Sequence, residues 1–144
     1  MVDLVVSAAT KPSSKGSHMT HLIDCYCGSG LFALGSSSSF DVCVGIEVNA
    51  KAVEEAKANA ALNGIRNCDF VSASAEAIFK SKDPVMVERD TSDSESNDVL
   101  LVKDFPRDNT VVVVDPPRKG ENGLIFNHSY GILSFLTFFR AIPA

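Results

Sequence analysis

The chain has 144 residues, of which 45% are hydrophobic and 22% are charged, and its formal net charge is -5. This length accommodates one domain or less, and this share of hydrophobic sequence excludes bulk disorder. The acidic balance excludes a surface that coats nucleic acid wholesale, although it is compatible with a local basic site.

The first twenty residues carry little organised sequence. Residues 4–9 are mostly apolar, but Asp3 precedes them and no cationic segment does, so the pattern is not that of a signal peptide. Residues 10–20 are polar and contain Pro12 and Gly16, which predicts a loop. We expect residues 1–20 to be a remnant of an upstream region with a loop, and the protein to be intracellular, either cytoplasmic or nuclear.

Apolar segments separated by helical patterns organise the middle of the chain. Strands are predicted at residues 21–25, 42–48, 68–71 and 111–114. Helices are predicted from Leu31, over residues 50–63 and over residues 75–79, with a serine loop at 36–39. Because strands alternate with helices, we expect an α/β fold, a partial Rossmann-like domain with a mostly parallel sheet and flanking helices.

The clearest helix is at residues 50–63, which are rich in Ala, Lys and Glu. Asn49 fits its N-cap, and Gly64 fits the position just beyond its end. Small apolar residues recur at spacings of 3 and 4 and predict the buried face: Val53, Ala56 and Ala60.

Residues 81–98 differ in kind from the rest of the chain. They hold six acidic residues against two basic ones, and residues 91–98 include no apolar side chain. Such a segment has too little hydrophobic surface to offset the entropy of ordering. We expect a solvated, mobile insertion within a domain that extends over residues 21–120.

The cysteines favour structural thiols over a metal site. There are four: Cys25, Cys27, Cys43 and Cys68. The first two have C-x-C rather than C-x-x-C spacing, and the only histidines near them are His18 and His21. Buried, reduced thiols of an intracellular protein are the preferred interpretation, and no metal ligand is expected.

Glycines and acids cluster where the predicted strands end. After the first strand comes D-C-Y-C-G-S-G, in which Gly28 and Gly30 let the backbone turn tightly and let a ligand approach it. The helix that follows offers N–H groups to an anion such as a carboxylate. Asp24, four residues before the first glycine, suits a ligand that carries an ammonium group. A G-x-G pair alone is often only a turn.

Two further acids follow the second and third strands. Glu47 lies 19 residues after Gly28, where a carboxylate can accept hydrogen bonds from both ribose hydroxyls of a nucleoside. Glu76 is placed to meet an adenine edge. Each of these acids taken alone also fits a solvated surface residue. Their shared position at one edge of one sheet favours a nucleoside site.

The fourth strand ends in D-P-P-R-K-G, residues 115–120. The two prolines end the strand and form a rigid corner beside the edge where open α/β sheets bind ligands. Asp115 adds an acid to that edge, while Arg118 and Lys119 place positive charge there that suits a polyanion.

Two classes of nucleoside ligand fit this pattern. G-S-G-L-F-A matches the G-x-G-x-x-A of a dinucleotide-binding fold, with Glu47 at the right distance. That fold leaves D-P-P-R-K-G without a role, and Asp24 suits the ammonium of an amino-acid tail. We therefore favour S-adenosylmethionine and a methyltransferase over a dehydrogenase.

Five segments of the chain occur in this order: D-C-Y-C-G-S-G-L-F, G-I-E-V, N-A-A-L-N-G-I-R-N-C, S-A-E and V-V-V-V-D-P-P-R-K-G. Together they resemble the tRNA uracil-5-methyltransferase family, especially its eukaryotic and fungal-type members. The resemblance covers residues 21–120 apart from the insertion. It implies a class I methyltransferase domain and transfer of a methyl group to C5 of uridine in the tRNA T-loop, with tRNA as the partner. Arg118 stands where amino-group methyltransferases carry a base-stacking aromatic, which disfavours transfer to an exocyclic nitrogen.

The same resemblance implies roles for individual residues. The side chains that would bind S-adenosylmethionine are Tyr26, Glu47 and Asp115, with Gly28 and Gly30 shaping the pocket. Leu31 occupies a contact position that is often polar in bacterial relatives. Tyr26 also fits a plain core aromatic.

The resemblance further implies two groups that this sequence lacks. C5 of uracil is a poor nucleophile, so the family adds a cysteine thiolate to C6 and later removes the C5 proton with a carboxylate. The family cysteine lies in an S-C-N motif beyond D-P-P-R-K-G, but here no cysteine follows Cys68 and no acid follows Glu121. Cys25 and Cys27 precede the cofactor turn and are poor substitutes. We assign no catalytic residue and expect the chain not to methylate uridine.

Residues 121–144 carry none of the family motifs. They hold five of the eleven aromatic residues, and the 17-residue run 123–139 contains Asn127 and His128, so a membrane span is not expected. Because Gly120-Glu121 can be encoded by GGTGAG, which contains a typical splice-donor sequence, we expect a truncated product or gene model whose sheet edge is bare. Two alternatives remain: a fragment of an rRNA uridine-5-methyltransferase, and a non-catalytic binding or tail-anchored protein.

Overall fold

A computed structural model describes residue 7 and residues 18–75, 86–88, 99–101, 105–115 and 134–137. The strands are β1 (His21–Cys25), β2 (Val42–Glu47), β3 (Cys68–Ser72), β4 (Met86–Glu88), β5 (Val99–Leu101), β6 (Thr110–Val114) and β7 (Ser134–Thr137). The helices are α1 (Leu31–Ser36) and α2 (Ala50–Leu62), and short 3₁₀ turns occupy Ser37–Ser39 and Arg107–Asn109.

The main sheet has five parallel strands in the order β3-β2-β1-β6-β7. The chain moves outward from β1 through β2 to β3, and then returns to place β6 on the other side of β1. The strand order therefore reverses between β1 and β6, and the crevice at such a reversal is where open α/β sheets bind ligands. The predicted α/β fold with a parallel sheet is confirmed.

The four predicted strands are all present, with ends that differ by one residue at most. The prediction of a serine loop at 36–39 is wrong, because Ser36 closes α1 and Ser37–Ser39 form a 3₁₀ turn. The cause is tertiary: Asn67 Nδ2 donates to the carbonyl oxygens of Ser37 at 2.8 Å and Phe40 at 2.9 Å. These bonds hold the turn against the start of β3.

Three strands, β4, β5 and β7, lie where the sequence predicted none. Met86–Glu88 falls inside the expected insertion and pairs antiparallel with Val99–Leu101. Ser134–Thr137 falls inside the tail and pairs parallel with β6, from Val111↔Ser134 to Val114↔Thr137. The expectation of a bare sheet edge beside the fourth strand is therefore wrong, because a segment of the tail occupies that edge and pairs with its backbone.

The core lies on both faces of the sheet, as expected for parallel strands covered on two sides. Successive side chains of a strand point to opposite faces, so β1, β2, β3 and β6 each contribute to two clusters. The cluster on the face of α1 and α2 includes Leu22, Cys43, Phe70, Val111 and Val113. The opposite cluster includes Ile23, Cys25, Val44, Ile46, Val112 and Val114.

The long helix α2 begins and ends as the sequence predicts, to within one residue. Asn49 Oδ1 accepts from the Lys51 N–H at 3.0 Å and caps its first turn. At the other end Gly64 has a φ of 66°, its N–H donates to Ala61 O, and the Ile65 N–H donates to Ala60 O at 3.0 Å. This Schellman arrangement anchors the end of α2. In the part of the chain described, no helix is both long and apolar enough to cross a membrane.

Candidate functional site

One row across the sheet forms the floor of the candidate site. In the parallel register Asp24 of β1 pairs with Gly45 of β2, and Gly45 pairs with Phe70 of β3. A Cβ atom at Gly45 would lie 2.5 Å from Phe70 Cδ1 and 2.8 Å from Cys27 Sγ. Only glycine therefore leaves room for the Phe70 ring and the Cys27 thiol. Our sequence reasoning missed both Gly45 and Phe70, although a glycine inside an apolar strand is a recognised sign of close approach.

The loop after β1 rests on this floor. Tyr26, Gly28 and Gly30 have φ values of 62°, 55° and 91°, in the region that favours glycine. The Cys27 N–H donates to Ile46 O at 3.0 Å, and the Gly30 N–H donates to Cys27 O at 2.9 Å. A Cβ atom at Gly30 would lie 3.0 Å from the Phe70 ring, whereas one at Gly28 would meet nothing within 4 Å. The two glycines thus serve the turn, and Gly30 also serves the packing.

Asp24 lies beneath the loop and is 0% exposed. Its Oδ2 accepts from the Ala33 N–H at 3.0 Å, and its Oδ1 has no hydrogen-bond partner among the described residues. Burial raises the pKa of Asp24 to about 7, the Ala33 hydrogen bond opposes this shift, and the charges of Asp115 and Glu47 add to it. One N–H of α1 that was expected to face a ligand anion is therefore held by the protein's own carboxyl group.

Glu47, at the end of β2, joins the loop to the start of α2. Its Oε2 accepts from the Gly28 N–H at 3.1 Å, and its Oε1 accepts from the Asn49 N–H at 3.0 Å. The side chain is half-buried. Both carboxylate oxygens are oriented by backbone donors and keep further lone pairs for a ligand at the sheet edge.

The remaining predicted residues occupy varied environments. Asp115 directly follows β6 and is exposed, across the strand reversal from the β1 loop. Tyr26 is half-buried and packs partly on the cluster opposite α1 and α2, which is compatible with both of its predicted roles. Leu31 begins α1 and is 64% exposed. Glu76 and residues 116–120 lie outside the described residues.

The thiols form part of the packing around the site. All four cysteines are buried and unpaired by disulfides. Burial raises the pKa of the Cys27 thiol. The pKa of the Cys43 thiol is also raised, mainly by a hydrogen bond with Cys68 and secondly by burial. Raised pKa values and burial make Cys27 and Cys43 weak nucleophiles. No group of three or more His, Cys, Asp or Glu side chains able to hold a metal ion occurs in the described part of the chain.

Comparison with known families assigns the chain. The family described as tRNA (Uracil-5-)-methyltransferase matches residues 6–127. The chain belongs to this family. The resemblance drawn from the motifs is confirmed, and the match begins before and extends beyond residues 21–120.

Individual relatives support the assignment to this family. The chain is 39% identical over 99 residues to the tRNA (uracil(54)-C(5))-methyltransferase of Saccharomyces cerevisiae. The aligned region is 69% of this chain and 12% of the yeast protein. It is 34% identical over 100 residues to the protein of that name in Schizosaccharomyces pombe, and the aligned region is 69% of this chain and 15% of that protein. It is 38% identical over 99 residues to the tRNA/tmRNA (uracil-C(5))-methyltransferase of Nitratiruptor sp., covering 69% and 25%. The chain thus spans a quarter or less of the length of these relatives.

Solved structures agree on the fold. Monomeric WbdD superposes with a TM-score of 0.53 at 15% identity, over 78% of this chain and 22% of WbdD. A second structure, of the bifunctional kinase-methyltransferase WbdD, gives a TM-score of 0.52 at 16% identity, over 78% of this chain and 20% of WbdD. At such identities the likeness concerns the fold alone, which is the Rossmann-like class I methyltransferase fold.

Proposed function

We propose that this chain is the S-adenosylmethionine-binding part of an enzyme that methylates C5 of uridine in tRNA. The observation that carries the proposal is the Asp24 carboxyl group, which is fully buried with one unpaired oxygen under the glycine loop. Burying such a group without a partner costs stability. A cationic ligand bound beside the loop offsets the buried charge through space, without touching the shielded oxygen.

The charge around the crevice supports this cofactor over a dinucleotide. Asp24 lies one residue before the end of β1, Glu47 ends β2 and Asp115 follows β6. The charges of Glu47 and Asp115 both act on Asp24. S-adenosylmethionine carries one carboxylate but also an ammonium and a sulfonium, so its net charge is positive, and its two ribose hydroxyls are hydrogen-bond donors. A dinucleotide instead carries an anionic pyrophosphate that three carboxylates repel. The acid set therefore fits the methyl donor.

Each predicted residue then has a role. We assign Glu47 to the ribose hydroxyls, Asp24 and Asp115 to the amino-acid and sulfonium side of the cofactor, and the Gly28–Gly30 backbone to close approach. Tyr26, Leu31 and Glu76 are retained as further contacts by resemblance. When bound, S-adenosylmethionine supplies a methyl group on a positively charged sulfur, activated towards a nucleophile.

The choice of tRNA as the substrate rests on relatives and on the sequence. The yeast and Nitratiruptor relatives are tRNA methyltransferases by name. Arg118 and Lys119 add the cationic charge that a nucleic-acid backbone needs. We therefore prefer tRNA to rRNA as the substrate of the whole enzyme. Because β7 places part of the tail in the sheet, an enzyme domain is also preferred to a tail-anchored binding protein.

Glu47→Gln is expected to weaken S-adenosylmethionine binding by about tenfold or more, because charge-assisted hydrogen bonds to the ribose are lost. Isothermal titration calorimetry measures the Kd of the chain and of the variant. The matched control is Glu55→Gln, which removes an exposed carboxylate from α2 and should leave the Kd unchanged. Equal affinity of Glu47→Gln and the unsubstituted chain would contradict the role of Glu47. Binding of NADH in place of S-adenosylmethionine would overturn the proposal.

The chain alone is expected to transfer no methyl group to unmodified tRNA. Attack on C6 of uracil requires an accessible thiolate, and all four thiols are buried. The assay follows labelled methyl groups from S-adenosylmethionine into tRNA, with the full-length Saccharomyces cerevisiae relative as a positive control. Incorporation of label well above a no-enzyme blank would contradict this expectation. Single Cys→Ser variants would then identify the thiol that attacks uracil.

A further inference from the structure

The glycine loop is attached to α2 through a side chain that has no role in the site described so far. Asn59 Nδ2 donates to Ser29 O at 3.2 Å, across 30 residues of sequence. The Asn59 side chain is half-buried. Because a carbonyl oxygen only accepts hydrogen bonds, the amide must present its NH₂ group here, and this determines its orientation.

This bond completes a two-sided attachment of the loop. Glu47, from β2, holds the Gly28 N–H, whereas Asn59, from α2, holds the carbonyl of the next residue. The peptide unit between Ser29 and Gly30 has both polar ends engaged, since the Gly30 N–H donates to Cys27 O at 2.9 Å. Glycine is the residue with the greatest backbone freedom, so these bonds oppose rotation where it is easiest.

Asn59 is itself firmly placed. Its carbonyl oxygen accepts from Asn63 Nδ2 at 2.7 Å and from the Asn63 N–H at 3.1 Å. The next residue, Ala60, is buried in the core and accepts the Ile65 N–H that closes the helix. The last turn of α2 is therefore a rigid support from which Asn59 reaches the loop.

We propose that Asn59 is a positioning residue that holds the Ser29–Gly30 peptide in the conformation that binds S-adenosylmethionine, without touching the cofactor. The inference rests on the proposed function of the site. A loop that is already in its bound conformation loses less entropy when the ligand arrives, so affinity depends on the Asn59 bond.

The test is Asn59→Ala, for which affinity and stability should move in different directions. Loss of one hydrogen bond to the loop is expected to raise the Kd for S-adenosylmethionine about two- to tenfold. Alanine is the strongest helix former, so the melting temperature should stay the same or rise. Hydrogen exchange of the free chain should accelerate over residues 28–31 but not over α2.

Two matched variants sharpen the result. Glu55→Ala changes an exposed side chain of α2 that plays no part in holding Asn59, and it should leave the Kd unchanged. Asn59→Gln keeps a donor amide and should recover part of the lost affinity. An unchanged Kd in Asn59→Ala, with binding by the unsubstituted chain intact, overturns the role of Asn59 alone. No binding by the unsubstituted chain overturns the proposed function and this inference with it.

Discussion

Asp24→Asn is expected to stabilise the free chain at pH 8 and to weaken its binding of S-adenosylmethionine. Asp24 is buried with one unpaired oxygen, and burial raises its pKa to about 7, so at pH 8 the native chain carries a buried negative charge. Asparagine keeps an oxygen for the Ala33 N–H and carries no charge. The same substitution removes the buried charge proposed to attract the cofactor ammonium, which should cost about tenfold or more in affinity.

The sign of the pH dependence follows from the direction of the shift. The ordinary pKa of this carboxyl group is 3.8, and the native value is raised to about 7. Between these values the unfolded chain has lost the Asp24 proton and the native chain has kept it, so stability falls as the pH rises. The full loss is on the order of 4 kcal/mol, at about 1.4 kcal/mol for each pH unit.

Urea unfolding at pH 5 and pH 8 measures this effect. The unsubstituted chain should lose roughly 3 kcal/mol of stability between these two values through Asp24, and Asp24→Asn should lose much less. Glu55→Gln removes an exposed carboxylate on α2 and should follow the unsubstituted chain. Parallel pH dependences for the unsubstituted chain and Asp24→Asn would show that Asp24 is not the titrating group.

Gly45→Ala is expected to destabilise the chain by about 1–3 kcal/mol, the usual cost of an atom forced into a packed core. The new Cβ atom would lie 2.5 Å from Phe70 Cδ1, so the ring must move. The same ring abuts Gly30, where a Cβ atom would lie 3.0 Å away. Displacement of Phe70 therefore disturbs the loop, and weaker S-adenosylmethionine binding should accompany the loss of stability.

A double-mutant cycle with Phe70→Leu separates this clash from a general loss of packing. Leucine lacks the ring edge, so the double variant should be less destabilised than the sum of the two single variants, by about 1 kcal/mol or more. Gly64→Ala is the matched control, since it strains a φ of 66° at the end of α2 with no atom within 4 Å of its Cβ. Adding Phe70→Leu should not reduce the loss of stability that Gly64→Ala causes. Strict additivity for Gly45 and Phe70 would contradict the proposed contact.

Much of the fold is encoded in local sequence. The four predicted strands and α2 have strong apolar patterns, and Asn49 and Gly64 mark the ends of α2 through contacts within a few residues. The 3₁₀ turn at Ser37–Ser39 has no such signal, because the carbonyls of Ser37 and Phe40 are held by Asn67, which lies just before β3. The short strands β4, β5 and β7 have three or four residues each, too few to show a periodic pattern, and they form through pairing with other strands.

Some features of the candidate site are likewise encoded in local sequence, and others depend on tertiary packing. The positions of Asp24, Glu47 and Asp115 were predictable, because the carboxyl ends of parallel strands meet at one edge and each of these acids lies within one residue of the end of its own strand. The contacts of Asp24 with Ala33 and of Ser29 with Asn59 were not, since they depend on how the helices pack on the sheet. Residue type and local spacing specify which groups reach the edge. Register and packing bring distant residues together. They alone determine which Asp24 oxygen has a hydrogen-bond partner, which has none, and why glycine is required at position 45.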